Sequence, residues 1–308
     1  MSKYTGTFTV SITPFSQDGK TIAEDVLRQY IDWTPFFMTW TLMGKYPAIF
    51  EHEEVGEEAK RLFNDANDWL DKIEREGLLK ASGMCQLFPA NSVDDDIEVY
   101  TDESRTEVAK TLFNLRQQTE KPKGANYCIS DYIAPKGTKA DYVGAFAVTG
   151  GIGERDLADE YKAKGDDYNA IMVQAVADRL AEAFAEYLHE RVRKEFWGYD
   201  AQEQFSNEEL IKERYNGIRP APGYPACPDH TEKTQLFELL DAKAQTGVSL
   251  TEHFAMYPAA AVSGWYFSHP EAKYFGIGKI GQDQLEVLAE RKGWDIKTAQ
   301  KWLQPLLD

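Results

Sequence analysis

Cysteine is scarce, with three in 308 residues: Cys85, Cys128 and Cys227. They lie too far apart for a disulfide framework or a CxxC metal site, and so small and odd a number fits a reducing compartment. Histidine is nearly as sparse, and none of His52, His189, His230, His253 and His269 forms HExxH, HxH or a His–Cys pair at zinc spacing. No metal site is expected. Basic residues are in deficit, 34 Lys and Arg against 51 Asp and Glu, a formal net charge of −17. That balance excludes a broad nucleic-acid footprint and disfavours an anionic membrane surface. No run reaches the ~18 apolar residues of a membrane span, and the N-terminus lacks a signal-peptide core. The expectation is a cytoplasmic chain binding neither nucleic acid nor membrane. Internal repeats are absent, as is a GxSxG elbow. GGIGER at 150–155 lacks the third glycine of a dinucleotide cradle and reads as a loop and a helix start.

Apolar residues make up 43% of the chain, enough for a sizeable core. Helical spacing appears in TIAEDVLRQYI, from about 53 to 80 with Gly83 as its stop, and around Val108, Leu112 and Leu115. The longest pattern runs from about 168 to 197, a span of ~45 Å at 1.5 Å per residue, with Gly198 as its stop. SNEELIKERYNG opens on Ser206 with Glu209 three residues on, a capping-box pattern. Further helices are expected from 231 to 243, over GQDQLEVLAERKG, and after a cap at Asp295. TFTVSITPF, ASGMCQLFPA, DDIEVYTD, ANYCISDYIA, DYVGAFAVTG and parts of AAAVSGWYFSHPEAKYFGIGKI read as strands. The mixed order, without regular βαβ alternation, predicts an α+β fold. It is a single large domain, a twisted, mostly antiparallel sheet flanked by helices, with one long helix.

Three segments stand out chemically. GIRPAPGYPACPDHTEK (217–233) holds four prolines and two glycines beside Arg219, Tyr224 and an Asp-His pair. Prolines stiffen such a loop, glycine admits close approach to the backbone, and arginine offers a fork for a carboxylate. The segment suits a zwitterionic ligand with an aromatic base, and equally a stiff connector between helices. IDWTPFFMTWTLMGKYP (31–47) clusters aromatics beside Asp32, either a helix cap or an acid in an aromatic pocket for a cationic ligand. SGWYFSHPEAKYF (263–275) places Tyr274 after a tight loop at the start of a strand, poised to stack on a ligand or to join the core.

These segments, with LFPAN (87–91), LRQQTEK (115–121), DYVGAFAVTGG (141–151) and ADRLAEAFAEYLHERVRK (177–194), closely resemble the C-terminal activation domain of cobalamin-dependent methionine synthase. The likeness runs from about 27 to 303. It divides the chain into a lead-in of strand, turn and helix at 1–26 and an activation domain at 27–308. The resemblance implies a domain that binds S-adenosylmethionine and docks on a cobalamin-binding module, allowing reductive methylation of inactive cob(II)alamin with an electron from flavodoxin or a related flavoprotein reductase. The cobalamin stays on the partner module. The family's R-x-x-x-G-Y motif falls on Arg219, Gly223 and Tyr224, with Pro220, Ala221 and Pro222 between. Its acidic contact falls on Asp32, and its tyrosine after the SHP turn on Tyr274, followed by Phe275. Phe275 keeps the ring but lacks the hydroxyl found there in some of the family. Glu182 and Glu213 follow as second-line pocket residues.

Methyl transfer to a metal nucleophile moves no proton at the reacting centre, so no acid–base pair is required and no catalytic residue is assigned. The chain is too short for the homocysteine, folate and cobalamin modules, and lacks the DxHxxG of the last. It is not expected to turn over alone, as an excised domain or a freestanding protein serving another corrinoid chain. The acidic balance predicts that an acidic partner docks on a local basic patch, either Arg191, Arg193 and Lys194 here or one that the cobalamin module supplies. The rivals are a self-contained small-molecule methyltransferase, which needs a cofactor cradle and a substrate base, and an interaction domain that has lost the ligand.

Overall fold

The computed structural model describes Thr7–Phe8 and residues 24–307. The expected lead-in at 1–26 lies largely outside the described residues. In chain order the elements are β1 (Thr7–Phe8), α1 (Glu24–Gln29), α2 (Thr34–Thr39), α3 (Gly56–Glu76), β2 (Lys80–Val93), β3 (Asp96–Tyr100), β4 (Val108–Leu112), β5 (Asp141–Ile152), α4 (Glu154–Ala163) and α5 (Asp167–Arg191). There follow α6 (Asn207–Ile211), α7 (Lys233–Leu240), α8 (Ala242–Thr246), β6 (Ser249–Leu250), β7 (Met256–Tyr257), β8 (Ala261–Tyr266), α9 (Gln282–Lys292) and α10 (Ile296–Leu303). The sheet runs β4-β3-β2-β5-β8, every neighbour antiparallel, and β1 pairs with β2 at Gln86 and Cys85. The expected α+β single domain is what forms.

Both sheet faces are covered, so the central strands are apolar almost continuously. Side-chain alternation sends Cys85, Leu87, Phe146, Val148 and Tyr266 to one face, under α5, with Met172, Val176 and Phe184. Met84, Phe88, Val143, Ala145, Ala147 and Trp265 pack on the other face, against Leu236, Leu240 and Ala242 of α7 and α8. Each fully buried Leu or Phe contributes about 1.5–3 kcal/mol. Helix α5 sits unusually close to the sheet. A Cβ on Gly150 would stand 2.8 Å from the Ala181 backbone nitrogen, so only glycine fits beneath it. Helices α9 and α10 close a third cluster with Leu115, Ile277 and Ile280.

The capping box at Ser206 and Glu209 forms, and Asp295 caps α10 by accepting from the Thr298 N–H at 2.8 Å. Helix α3 stops at Gly77, which takes a left-handed φ of 62°, and not at Gly83, which lies inside β2 beneath Phe184. The segment around Val108 and Leu112 is strand β4. Its i, i+4 spacing fits a helix, but pairing with β3 decides otherwise. ANYCISDYIA is no strand: Asp131 accepts from the Cys128 N–H at 2.9 Å and closes a 3-10 turn over Ile129–Tyr132. Tyr274 stands in a loop, not a strand. That loop's backbone is tied by side chains and neighbouring loops, Gln117 donating to the Gly276 carbonyl and Ile277 N–H to the Pro225 carbonyl. GGIGER is not a loop at its start: Gly150–Ile152 end strand β5, and only Gly153, at φ 97°, turns the chain into α4, with Glu154 and Asp156 in its first turn. Helix α5 ends at Arg191 in a π turn over Val192–Phe196, where the Trp197 N–H reaches back to Val192, and Gly198 follows at φ 70°. Among the described residues no helix is long and apolar enough to cross a membrane.

A buried cluster ties α9 to the turn before α7. Lys292 Nζ donates to Asp229 at 2.6 Å, Glu232 at 2.6 Å and Thr231 at 2.8 Å. One ammonium serves two carboxylates. Burial pushes the Glu232 pKa up to about 7, Lys292 opposing and Asp229 adding. An acid raised in the fold stabilises it below the unfolded value near 4.5 and loses that contribution as pH rises through 7. Thermal unfolding from pH 5 to 8 is therefore expected to show a falling midpoint that Glu232→Gln flattens. Identical pH slopes in the two proteins would contradict this origin.

Candidate ligand cleft

The backbone from Ile218 to Pro220 runs beside β8 as a short edge. Ile218 and Phe267 exchange both backbone hydrogen bonds at 3.0 Å, and the Trp265 N–H reaches the Pro220 carbonyl at 2.9 Å. Proline is tolerated at such an edge because its missing N–H would face outward. Alternation then sends Ile218 into the lower core and Arg219 to the α5 face.

There Arg219 meets a polar stripe of α5. Its Nη2 donates to Glu186 at 2.7 Å, and its Nη1 to Tyr215 Oη at 3.0 Å and His189 Nδ1 at 3.3 Å. Burial works against the Arg219 charge, but Glu186, with Tyr215 and Tyr274, more than offsets it and the guanidinium stays charged. Complete burial, with Arg193 and Arg219 nearby, holds His189 well below its ordinary pKa, as a neutral ring. Tyr274 Oη accepts from the Arg219 backbone N–H at 3.0 Å, and burial raises its own pKa. The guanidinium has five N–H groups, and these contacts engage three. The Nε–H has no hydrogen-bond partner among the described residues, and the guanidinium keeps donors to spare for a carboxylate.

Two cavities meet at Arg219. The larger, about 720 Å³, is lined by Glu182, Glu213, Arg219, Pro220, Ala221 and Tyr224, with Tyr274 and Phe275 opposite. Phe254, Met256, Val262, Ser263, His230 and Lys233 complete it. The smaller, about 380 Å³, shares Glu182, Glu213 and Arg219 and adds Asp32, Glu186, Tyr30 and Arg179. It presents four carboxylates against two guanidiniums, an excess that favours a cation. Glu213 is held at a left-handed φ of 54°, a strained backbone for a side chain with a Cβ, at the junction of the cavities.

Eight of the ten expected residues line the larger cavity: Glu182, Glu213, Arg219, Pro220, Ala221, Tyr224, Tyr274 and Phe275. Asp32 lines the smaller one, and one of its oxygens accepts from the Thr34 N–H at 2.9 Å at the start of α2. Of the two readings of this segment the helix cap is what forms, and Trp33, Phe36 and Phe37 turn into the core. Gly223 lines neither cavity. Its φ is 97°, and a Cβ would stand 2.3 Å from the His230 ring. Glycine here leaves room for the His230 ring. Gly223→Ala is expected to cost about 2–4 kcal/mol through clash and left-handed strain. A chemical unfolding curve superposing on the parent's would count against that packing.

The expected basic patch is also absent. Arg193 is fully buried and paired with Glu203, Arg191 pairs with Glu195, and Lys194 with Glu190. Sequence reasoning missed Glu186, His189, Tyr215, His230 and Lys233. A signal existed for part of this: Glu182, Glu186, His189 and Arg193 follow i, i+4, i+7, i+11, a polar stripe on an otherwise apolar helix.

Fold and cleft together define an α+β ligand-binding domain with a fork-type arginine at the junction of an acidic and an apolar cavity. The family model for the activation domain of vitamin B12 dependent methionine synthase matches residues 24–293. The chain belongs to that family. A crystal structure of the MetH reactivation domain bound to AdoHcy is similar over 99% of this chain and 91% of that one, at 58% identity and a TM-score of 0.94.

Proposed function

We propose that this chain binds S-adenosylmethionine in the Arg219 cleft and presents it to a cobalamin-binding module of methionine synthase. The observation that carries the reading is the Arg219 guanidinium, with donors to spare, where an acidic cavity adjoins an apolar one. S-adenosylmethionine is a carboxylate, an ammonium, a sulfonium and a flat purine nucleoside on one short chain. Arg219 takes the carboxylate. Asp32, Glu182 and Glu213 face the cationic groups. Pro220, Ala221, Tyr224, Tyr274 and Phe275 wall the remainder, and Gly223 acts indirectly by seating His230. We take 27–308 as the activation domain. AdoHcy, in the similar structure, is S-adenosylmethionine without its transferable methyl.

Cobalamin, held by the partner module, supplies the nucleophile for the methyl group when reduced. This chain's part is to bind and aim the donor, since positioning alone removes much of a transfer barrier. Flavodoxin or a related flavoprotein is our proposed electron source, and the cytoplasm our proposed compartment, in keeping with three free cysteines.

Calorimetric titration with S-adenosylmethionine tests the reading, alone and with the cobalamin module added. One-site saturable binding without methyl turnover by the isolated chain is expected. Absence of binding in both settings would reject it.

A further inference from the structure

Lys233 is only 8% exposed, and no carboxylate pairs with it among the described residues. Its one hydrogen-bond partner among the described residues is the acceptor His230 Nδ1, at 2.9 Å. It is also the first residue of α7, where the helix dipole disfavours a cation. Glu232, next to it, is turned toward Lys292. Burial pulls the Lys233 pKa below the ordinary lysine value. Desolvation, the wrong helix end and a missing counter-ion all oppose this side chain. Folds keep such local conflicts chiefly where a ligand uses them.

The surroundings say which part of a ligand. Lys233 lines the larger cavity and not the acidic one, with Phe254, Met256 and Val262 as its apolar companions. An ammonium has three N–H groups and His230 takes one, leaving two for a ligand. His230 is itself fixed by packing on Gly223 of the Arg219 loop. We propose that Lys233 is the polar anchor for the nucleoside half of the ligand, donating to ring-nitrogen or hydroxyl acceptors, while Arg219 holds the amino-acid half. This rests on the S-adenosylmethionine reading above.

The test titrates the parent chain, Lys233→Met and Arg219→Ala with two probes. One is S-adenosylmethionine. The other is 5′-methylthioadenosine, which keeps the nucleoside and lacks the amino-acid half. Lys233→Met is expected to weaken both probes by a similar factor, about tenfold or more. Arg219→Ala is expected to weaken S-adenosylmethionine alone. The thermal midpoint of Lys233→Met is expected to hold or rise, because a buried unpaired charge is gone. Should that variant fail to fold, Lys233→Gln, which keeps a donor without the charge, is titrated in its place and should lose less. Parent-like affinity of the Lys233 variant for both probes overturns the proposal. So does a loss for S-adenosylmethionine alone, or a parent chain that binds S-adenosylmethionine but not the truncated probe. A parent chain that binds neither overturns the functional reading beneath it.

Discussion

Arg193→Met is expected to lower the unfolding free energy by about 3–5 kcal/mol. The side chain is fully buried and makes a two-point contact with Glu203, at 2.7 and 2.8 Å. Glu203 is itself 1% exposed, and Glu186 stands 3.9 Å from the other side of the guanidinium. The Tyr215 ring lies 4.2 Å away and seals the pair from water. Methionine fills much of the volume but leaves the buried Glu203 carboxylate without its cation, while Glu186 keeps Arg219. Calorimetry should find a midpoint lower by roughly 10 °C. Adding Glu203→Gln to Arg193→Met should recover part of the loss, as a double-mutant cycle measures for coupled partners. An unchanged midpoint together with slower partner-dependent reactivation would instead make Arg193 a docking residue.

Arg219→Ala is expected to weaken S-adenosylmethionine binding by about 100-fold, the equivalent of about 3 kcal/mol for a charge-assisted two-point contact. Two effects act together. The guanidinium's contact with the ligand is lost, and Glu186, no longer held at 2.7 Å, leaves a less compensated carboxylate beside the ligand's own. The fold should lose about 2 kcal/mol, less than for Arg193, because Arg219 is 19% exposed and Arg193 still faces Glu186. Arg219→Lys keeps the charge but not the fork, and should fall between parent and alanine. Titration of the three proteins checks the order. Equal affinities would remove Arg219 from the ligand's carboxylate.

The chemistry of the cleft was readable where it lay in one continuous segment. Arg219, Tyr224 and the prolines between them read equally as a ligand loop or a stiff connector, Tyr274 and Phe275 came from the third outlying segment, and all of these, though not Gly223, line the larger cavity. Glycine at 223 was readable as a requirement but not as its cause, since the His230 ring that needs the space lies seven residues on. Arg191, Arg193 and Lys194 read as a cationic surface because composition counts charges and not their partners. A π turn brings Arg193 to Glu203, and nothing in the i, i+4 pattern of α5 foretells that wider turn. The three segments misassigned between helix and strand, or between strand and loop, are short. In them a few side-chain contacts outweigh local propensity.

The amino-acid sequence by itself determined the α+β class, the long helix and the caps at Ser206 and Asp295. Each of those depends on interactions within a few residues, where spacing along the chain is also spacing in space. Tertiary structure alone decided that Asp32 and Arg219 line one acidic cavity, that Arg193 is internal, and that Lys233 is a buried cation without a carboxylate. Those outcomes depend on which distant segments share a sheet edge or a helix face. A charge acquires its role from what burial leaves beside it, and burial is settled only when the sheet and α5 close on each other.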